Sequence, residues 1–251
     1  MLILFSRDEM RTIRLTHVQR PTHSPAYLEE RERVWQARLT KAQTTGEHLW
    51  NGEPYTIEHF IQVDETHVLL EMSSCEYKDI VFRVTKGVAA IVQTYGTDHL
   101  PQYVTVDCIP VTSDGRFIFG VRAPRTTAPA GMVGLIGGML NKDEMTVSSF
   151  ADIVAFMRKE VREETTLVCH AEDLTLFSLN AFRGKYEFLF TFEAHIHSAE
   201  VSGLGTPEEF EHLVATDLAG AMAIDNGLDA FRYAKNYLPQ LWQAMQKREA
   251  R

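Results

Sequence analysis

The chain has 251 residues, 45% hydrophobic and 24% charged, which is the balance of a soluble globular protein long enough to bury a sizeable core. Its formal net charge of −9 argues against a nucleic-acid backbone as the main partner, because phosphate contacts need clustered Lys and Arg. A nucleotide stays open, since a bound metal ion can supply the local positive charge. The cysteines are Cys75, Cys108 and Cys169. They are scattered and form no CxxC pair, so neither a disulfide framework nor a structural zinc is expected. Reduced thiols in a cytoplasmic setting fit better.

Residues 1–5, MLILF, are too short a run for a signal-peptide core or a membrane span and read as a first strand. No membrane partner is expected. Residues 16–25, with Pro21 and Pro25, read as a loop, and 26–43 as a partly amphipathic helix carrying Leu28, Val34, Trp35 and Leu39. Partial alternation predicts strands at 55–63, 67–73 and 79–84, and 86–100 reads as a connection or short helix. From Tyr103 the texture changes. The run YVTVDCIPV (103–111), a turn at Ser113-Asp114-Gly115 and RFIFGV (116–121) predict a hairpin. Gly131, Gly134, Gly137 and Gly138 then precede a helical segment predicted from Asp143 to Thr166, where Phe150, Ile153, Val154, Met157 and Val161 form one apolar face. Strands are expected at 173–182, 186–197 and 211–216, with a polar loop at 198–209. A helix from Leu228 to Lys247 should break or restart near Pro239.

Chemistry concentrates in KEVREETTL (159–167). On a helix, Glu160, Glu163 and Glu164 fall within roughly a 100° sector bordering the apolar face. Carboxylates so grouped repel one another unless a cation sits among them. Mg²⁺ or Mn²⁺ fits, as a hard ion that takes oxygen ligands and bridges to phosphate. A solvated charged face with i,i+4 pairs is the plainer alternative. The upstream Gly-Gly lets backbone approach a ligand and offers a carbonyl to a metal.

Gly138, then five residues, then Glu144, and later Lys159-Glu160-Val161-Arg162-Glu163-Glu164-Thr165-Thr166-Leu167 together resemble the Nudix box: Gly, five residues, Glu, seven residues, then Arg-Glu-aliphatic-any-Glu-Glu-any-Gly-aliphatic. The chain departs from the pattern in three ways. Lys159 stands for Arg and keeps the charge without the bidentate fork. Thr166 stands for Gly, which requires a helix end different from one that needs Gly. Fourteen residues, not seven, separate Glu144 from Lys159, which a helix two turns longer would absorb in phase, or a looped-out bulge would take up.

The resemblance implies that Glu160, Glu163 and Glu164 hold Mg²⁺ or Mn²⁺, that the Gly138 carbonyl adds a ligand, and that Lys159 orients a glutamate. Glu144 would be a supporting carboxylate. A metal-bound water would attack a phosphorus of a diphosphate, with its proton taken by a glutamate of the cluster or by a later one. Glu187, Glu193, Glu208, Glu209 and Glu211 are the candidates for that later base. Arg122 and Arg125 could clamp phosphate oxygens, with Arg183 a weaker candidate; a plain surface role is the alternative for each.

The implied fold is α/β: a Nudix-type α/β/α sandwich with a mixed sheet over 101–251, preceded by an N-terminal α+β extension over 1–100 that packs on it or takes part in a homodimer. Trp35-Gln-Ala-Arg38, Leu49-Trp50-Asn51-Gly52 and Tyr77-Lys78-Asp79 are similar to the N-terminal part of the UDP-glucose diphosphatase branch, which points to a nucleotide sugar. Trp35, Trp50 and Tyr77 serve equally well as core aromatics. ADP-ribose, dinucleoside polyphosphates, NADH and coenzyme A remain alternative substrates. A nucleotide-binding protein without turnover and an acidic scaffold without a small ligand remain alternatives to an enzyme.

Overall fold

A computed structural model describes residues 2–4, 12–46, 49–64, 67–124, 130–182, 184–206 and 209–249, with side chains at 2–4, 229–230 and 247–249 left aside. The elements in chain order are β1 (Leu2–Leu4), β2 (Thr12–His17), α1 (Pro25–Thr45), β3 (Tyr55–Gln62), β4 (His67–Ser74), α2 (Tyr77–Lys86) and α3 (Val88–Tyr95). There follow β5 (Tyr103–Thr112), β6 (Phe117–Arg122), β7 (Val133–Gly134), β8 (Ile136–Met139), α4 (Phe150–Thr165), β9 (Thr175–Phe182) and β10 (Lys185–Ala194). The chain closes with β11 (Phe210–Thr216), α5 (Leu218–Ala223), α6 (Asp229–Ala234) and α7 (Leu238–Glu249). This is a mixed α/β architecture with a mixed sheet, as expected. No helix among the described residues is long and apolar enough to cross a membrane.

The chain divides into two compact units. The first holds residues 1–105, 139–153 and 178–188. It contains β1, β2, β3 and β4, with residues 178–182 of β9, 185–188 of β10 and 103–105 of β5. Here β2 pairs with β4 in parallel, while β3 is antiparallel to both β4 and β5. Strand β2 was absent from the sequence reading, although Thr12-Ile13-Arg14-Leu15-Thr16 alternates polar and apolar residues; only Ile13 of this strand is buried. Helix α1 starts behind the Ser24 hydroxyl and Pro25 and stops at Gly46, whose φ of 73° turns its N–H back to the Ala42 carbonyl.

The strand expected at 79–84 is helix α2. The alternation of Ile80, Phe82 and Val84 was misleading. A capping box between Glu76 and Asp79 starts a helix there, and Gly87 ends it. Asp79 also accepts from Arg31 Nη1 at 2.7 Å and from the Tyr27 hydroxyl at 3.2 Å. A core of Tyr27, Phe82 and Ile91 joins α1, α2 and α3. Trp35 is buried and meets Tyr77 edge-on at 6.5 Å, as core aromatics do, whereas Trp50 is exposed.

His23 lies beside this core. Burial holds it well below the ordinary imidazole range, at about 4, with Arg20, His99 and Arg31 acting in the same sense and Asp79 opposing. Between about pH 6.5 and 4 the unfolded chain therefore takes up a proton that the folded chain refuses, and stability falls as pH falls through that window. His23→Gln removes this contribution. Thermal melts should show a smaller drop in Tm from pH 7 to 4.5 for the variant than for the parent chain; equal drops would contradict the assignment.

The second unit holds residues 106–138, 154–177 and 189–251. The predicted hairpin is present, with Val111 opposite Phe117 and a turn closed at Gly115. Strand β11 pairs antiparallel along β6, and β6 also pairs with β7. Ile109, Val111, Phe117 and Phe119 form one core with Phe231, Ala234, Tyr237 and Leu238 of the C-terminal segment, and Val121 packs against it. Alternation along β6 turns Arg122 to the opposite face, where it approaches Glu164 of α4. Helix α4 and the C-terminal helices thus flank opposite faces of these strands. The expected C-terminal helix is broken between Ala234 and Leu238, close to Pro239.

Helix α4 begins at Phe150, seven residues later than predicted. Residues 142–144 are a turn and 145–148 are irregular, so the extra residues lengthen the loop and not the helix. Asp152 fixes the start: its Oδ2 accepts from the N–H groups of Ser148 and Ser149 at 2.9 and 2.8 Å, and first-turn backbone donors take an acidic partner readily.

Candidate functional site

The residues that converge all belong to the second unit. Glu160 and Glu164 lie one turn apart on α4, so their carboxylates stack on one face. Glu164 is 5% exposed, and its Oε2 accepts the Gly137 N–H at 2.7 Å. Gly137, with φ 136°, can do this because β8 lies tight against β5 there. Gly138 follows, and a Cβ at that position would come within 2.7 Å of Glu160 Oε2. The Gly-Gly pair therefore brings bare backbone to both carboxylates.

Arg122, from the end of β6, places Nη1 2.9 Å from Glu209 Oε2 and 3.8 Å from Glu164 Oε1. Its guanidinium lies 5.1 Å from the centre of the Phe210 ring, the residue paired with it across β11. Its Nε is buried without an acceptor among the described residues. Lys159 reaches both Glu160 (3.3 Å) and Glu163 (3.1 Å). Glu163 is half exposed and is drawn toward Lys159.

Burial pushes the Glu164 carboxyl well above the usual carboxylate range, and the like charge of Glu160 pushes it further. The Gly137 N–H and Arg122 pull it down, while Glu209 adds to the rise. A desolvated carboxylate beside a second one is stabilised by a cation. Among the described residues no three His, Cys, Asp or Glu side chains form a ready ligand set. The donors present still suit Mg²⁺, which keeps several waters and is commonly bound by one or two carboxylates plus substrate phosphate oxygens. Glu160 and Glu164 would hold it, with the Gly138 backbone beside them.

The helix end departs from expectation. Thr166 has φ 60°, the left-handed conformation that glycine would adopt, so the chain keeps that turn with a β-branched residue in it. Thr166 Oγ1 donates to the Leu204 carbonyl at 3.2 Å, and the Thr206 N–H and hydroxyl close on the Glu164 carbonyl at 3.1 and 3.2 Å. Thr166→Gly relieves strain but loses the hydroxyl contact, so it should move stability by no more than about 1 kcal/mol. Thr166→Val keeps the strain without the contact and should cost about 1–2 kcal/mol. Urea melts of both variants check this ordering, and a more stable Val variant would contradict it.

Glu144 is exposed in the 142–144 turn of the first unit. Glu187, also of the first unit, is fully buried, bonded to Lys185 at 3.2 Å and Asn180 at 2.9 Å. A carboxylate so enclosed serves an internal network and is not presented to a substrate. Glu193 and Glu211 are exposed. Arg125, Arg183 and Glu208 lie outside the described residues. The sequence reading missed Thr206 and Phe210, which no motif marks, and the contact of the Gly137 N–H with Glu164. The cysteines are free, as expected, with Cys75 and Cys108 buried.

No family model matches the chain, and no curated protein does. Solved structures do. A MutT protein from Methanosarcina mazei Go1 is 18% identical over 59% of this chain and 95% of its own, with a TM-score of 0.37. The Nudix domain of Shewanella oneidensis NrtR, crystallised with ADP ribose, is 15% identical over 64% of this chain and 98% of its own, with a TM-score of 0.42. A mutT/nudix family protein from Listeria innocua is 16% identical over 59% and 96%, with a TM-score of 0.41.

Proposed function

We propose that this chain is a Nudix-type, Mg²⁺- or Mn²⁺-dependent hydrolase that splits the diphosphate linkage of a nucleotide sugar into a nucleoside monophosphate and a sugar phosphate. The observation that carries the reading is the stacked pair Glu160 and Glu164, the second of them buried, bonded to the Gly137 N–H and faced by Arg122. A bound Mg²⁺ would supply Lewis-acid polarisation of the phosphate and an acidified water.

The protein's own groups do the rest. Arg122 has a buried Nε still to satisfy and binds a phosphate oxygen, releasing its hold on Glu209. Glu209 then has a carboxylate available to accept the proton of the attacking water. Lys159 keeps Glu160 oriented through the 3.3 Å contact. The N-terminal segments similar to the UDP-glucose diphosphatase branch favour the nucleotide sugar over ADP-ribose or a dinucleotide, and the three free cysteines suit the cytoplasm.

The test is phosphate release from nucleotide sugars, ADP-ribose and dinucleotides, with Mg²⁺ present and a phosphatase to strip product monoesters. Release that disappears with chelator supports the reading and identifies the substrate. Silence across the panel with Mg²⁺ and with Mn²⁺ overturns it in favour of a nucleotide-binding protein.

A further inference from the structure

The first unit contains an arginine whose side chain is largely enclosed and only half satisfied. Arg20 lies in the loop between β2 and α1, with its side chain only 10% exposed. Its Nη1 donates to Glu58 Oε1 at 3.3 Å. Its Nε and Nη2 are buried without an acceptor among the described residues. These two atoms form the side-on edge of the guanidinium, the pair of parallel N–H groups that matches two oxygens of one carboxylate or phosphate.

The nearby carboxylates are already engaged. Glu58 Oε1 also takes the Thr56 and Ser73 hydroxyls at 2.7 and 2.5 Å. Asp79 Oδ1 takes Arg31 and Tyr27, with His23 Nε2 at 3.6 Å. Arg31 itself has a buried Nε without an acceptor among the described residues. Arg20 acts electrostatically on His23, Tyr27 and Cys75. His23 and Tyr27 sit at the start of α1, a 21-residue helix with no acidic residue in its own first turn. Gln19, Pro21 and Thr22, on either side of Arg20, are exposed.

We propose that the loop 18–24 and the N-terminus of α1 form a binding site for a small oxyanion, carboxylate or phosphate, held side-on by Arg20. The site is separate from the diphosphate-hydrolase reading and does not depend on it.

The experiment measures Tm in sodium acetate and in sodium phosphate against sodium chloride of equal ionic strength. It uses the parent chain, Arg20→Lys and Arg122→Ala. Arg20→Lys keeps the charge and removes the fork. One of the two anions should raise the Tm of the parent and of Arg122→Ala by roughly 3–6 °C at tenfold over its Kd, and should leave Arg20→Lys unmoved. A response to acetate identifies a carboxylate ligand, and one to phosphate alone identifies a phosphate. No shift in the parent with either anion overturns the proposal. So does a shift kept in Arg20→Lys and lost in Arg122→Ala, which would put the anion at the diphosphate site. If Arg20→Lys does not fold, the Arg20 Nε–H resonance of the parent replaces it. A downfield proton shift on adding the anion supports the site, and an unmoved resonance overturns it.

Discussion

Glu164→Gln should lower turnover of the diphosphate substrate by about 10³-fold at saturating Mg²⁺, with Tm equal to or above that of the parent chain. The two effects separate because the carboxylate has two roles. As an acceptor for the Gly137 N–H at 2.7 Å, it is replaced by the amide oxygen of Gln, so the contact between β8 and α4 survives. As a buried negative charge beside Glu160, it costs folding energy, since burial and like charge both disfavour ionisation there. Gln removes that cost along with the charge. Catalysis loses an anionic metal ligand, and charge stabilisation by a bound metal is worth several kcal/mol, with each 1.36 kcal/mol a factor of ten. Steady-state kinetics with a Mg²⁺ titration, alongside thermal melts, checks both halves. Undiminished kcat/KM in a folded variant would remove Glu164 from the metal site.

Gly137→Ala should unfold the protein by about 10 °C in Tm, at a cost of about 3 kcal/mol, and abolish activity with it. A Cβ at Gly137 would sit 2.2 Å from the Val106 carbonyl oxygen and 2.8 Å from the Asp107 Cα, both on the backbone of β5. Neither atom can move aside without parting β8 from β5. The φ of 136° is also one that L side chains rarely adopt. Gly138→Ala provides the contrast. Its Cβ would meet the Glu160 carboxylate at 2.7 Å, the far end of a flexible side chain, so the fold should persist while activity falls. Melts and kinetics on the two variants test the pair. A Gly137→Ala protein as stable as the parent would mean that β8 does not lie against β5 in this way.

What the sequence alone determined is whatever depends on local periodicity and turn chemistry. The apolar face of α4, the Glu160–Glu164 spacing, the β5–β6 hairpin at Ser113-Asp114-Gly115 and the helix after Pro25 each follow from residues a few positions apart, where helix and strand geometry dictate neighbours. Where local signals competed, the sequence misled: Ile80, Phe82 and Val84 alternate like a strand, and the Glu76–Asp79 capping box makes them a helix. The tertiary structure alone decided the rest. It separated Glu164, buried against Gly137, from Glu163, half exposed and drawn to Lys159, because solvation depends on which strand packs against each side of α4. It singled out Glu209 from its acidic neighbours through Arg122, 87 positions earlier in the sequence, and it enclosed Glu187 between Lys185 and Asn180. A carboxylate's role is set by desolvation and by partners distant in sequence, and no local pattern encodes either.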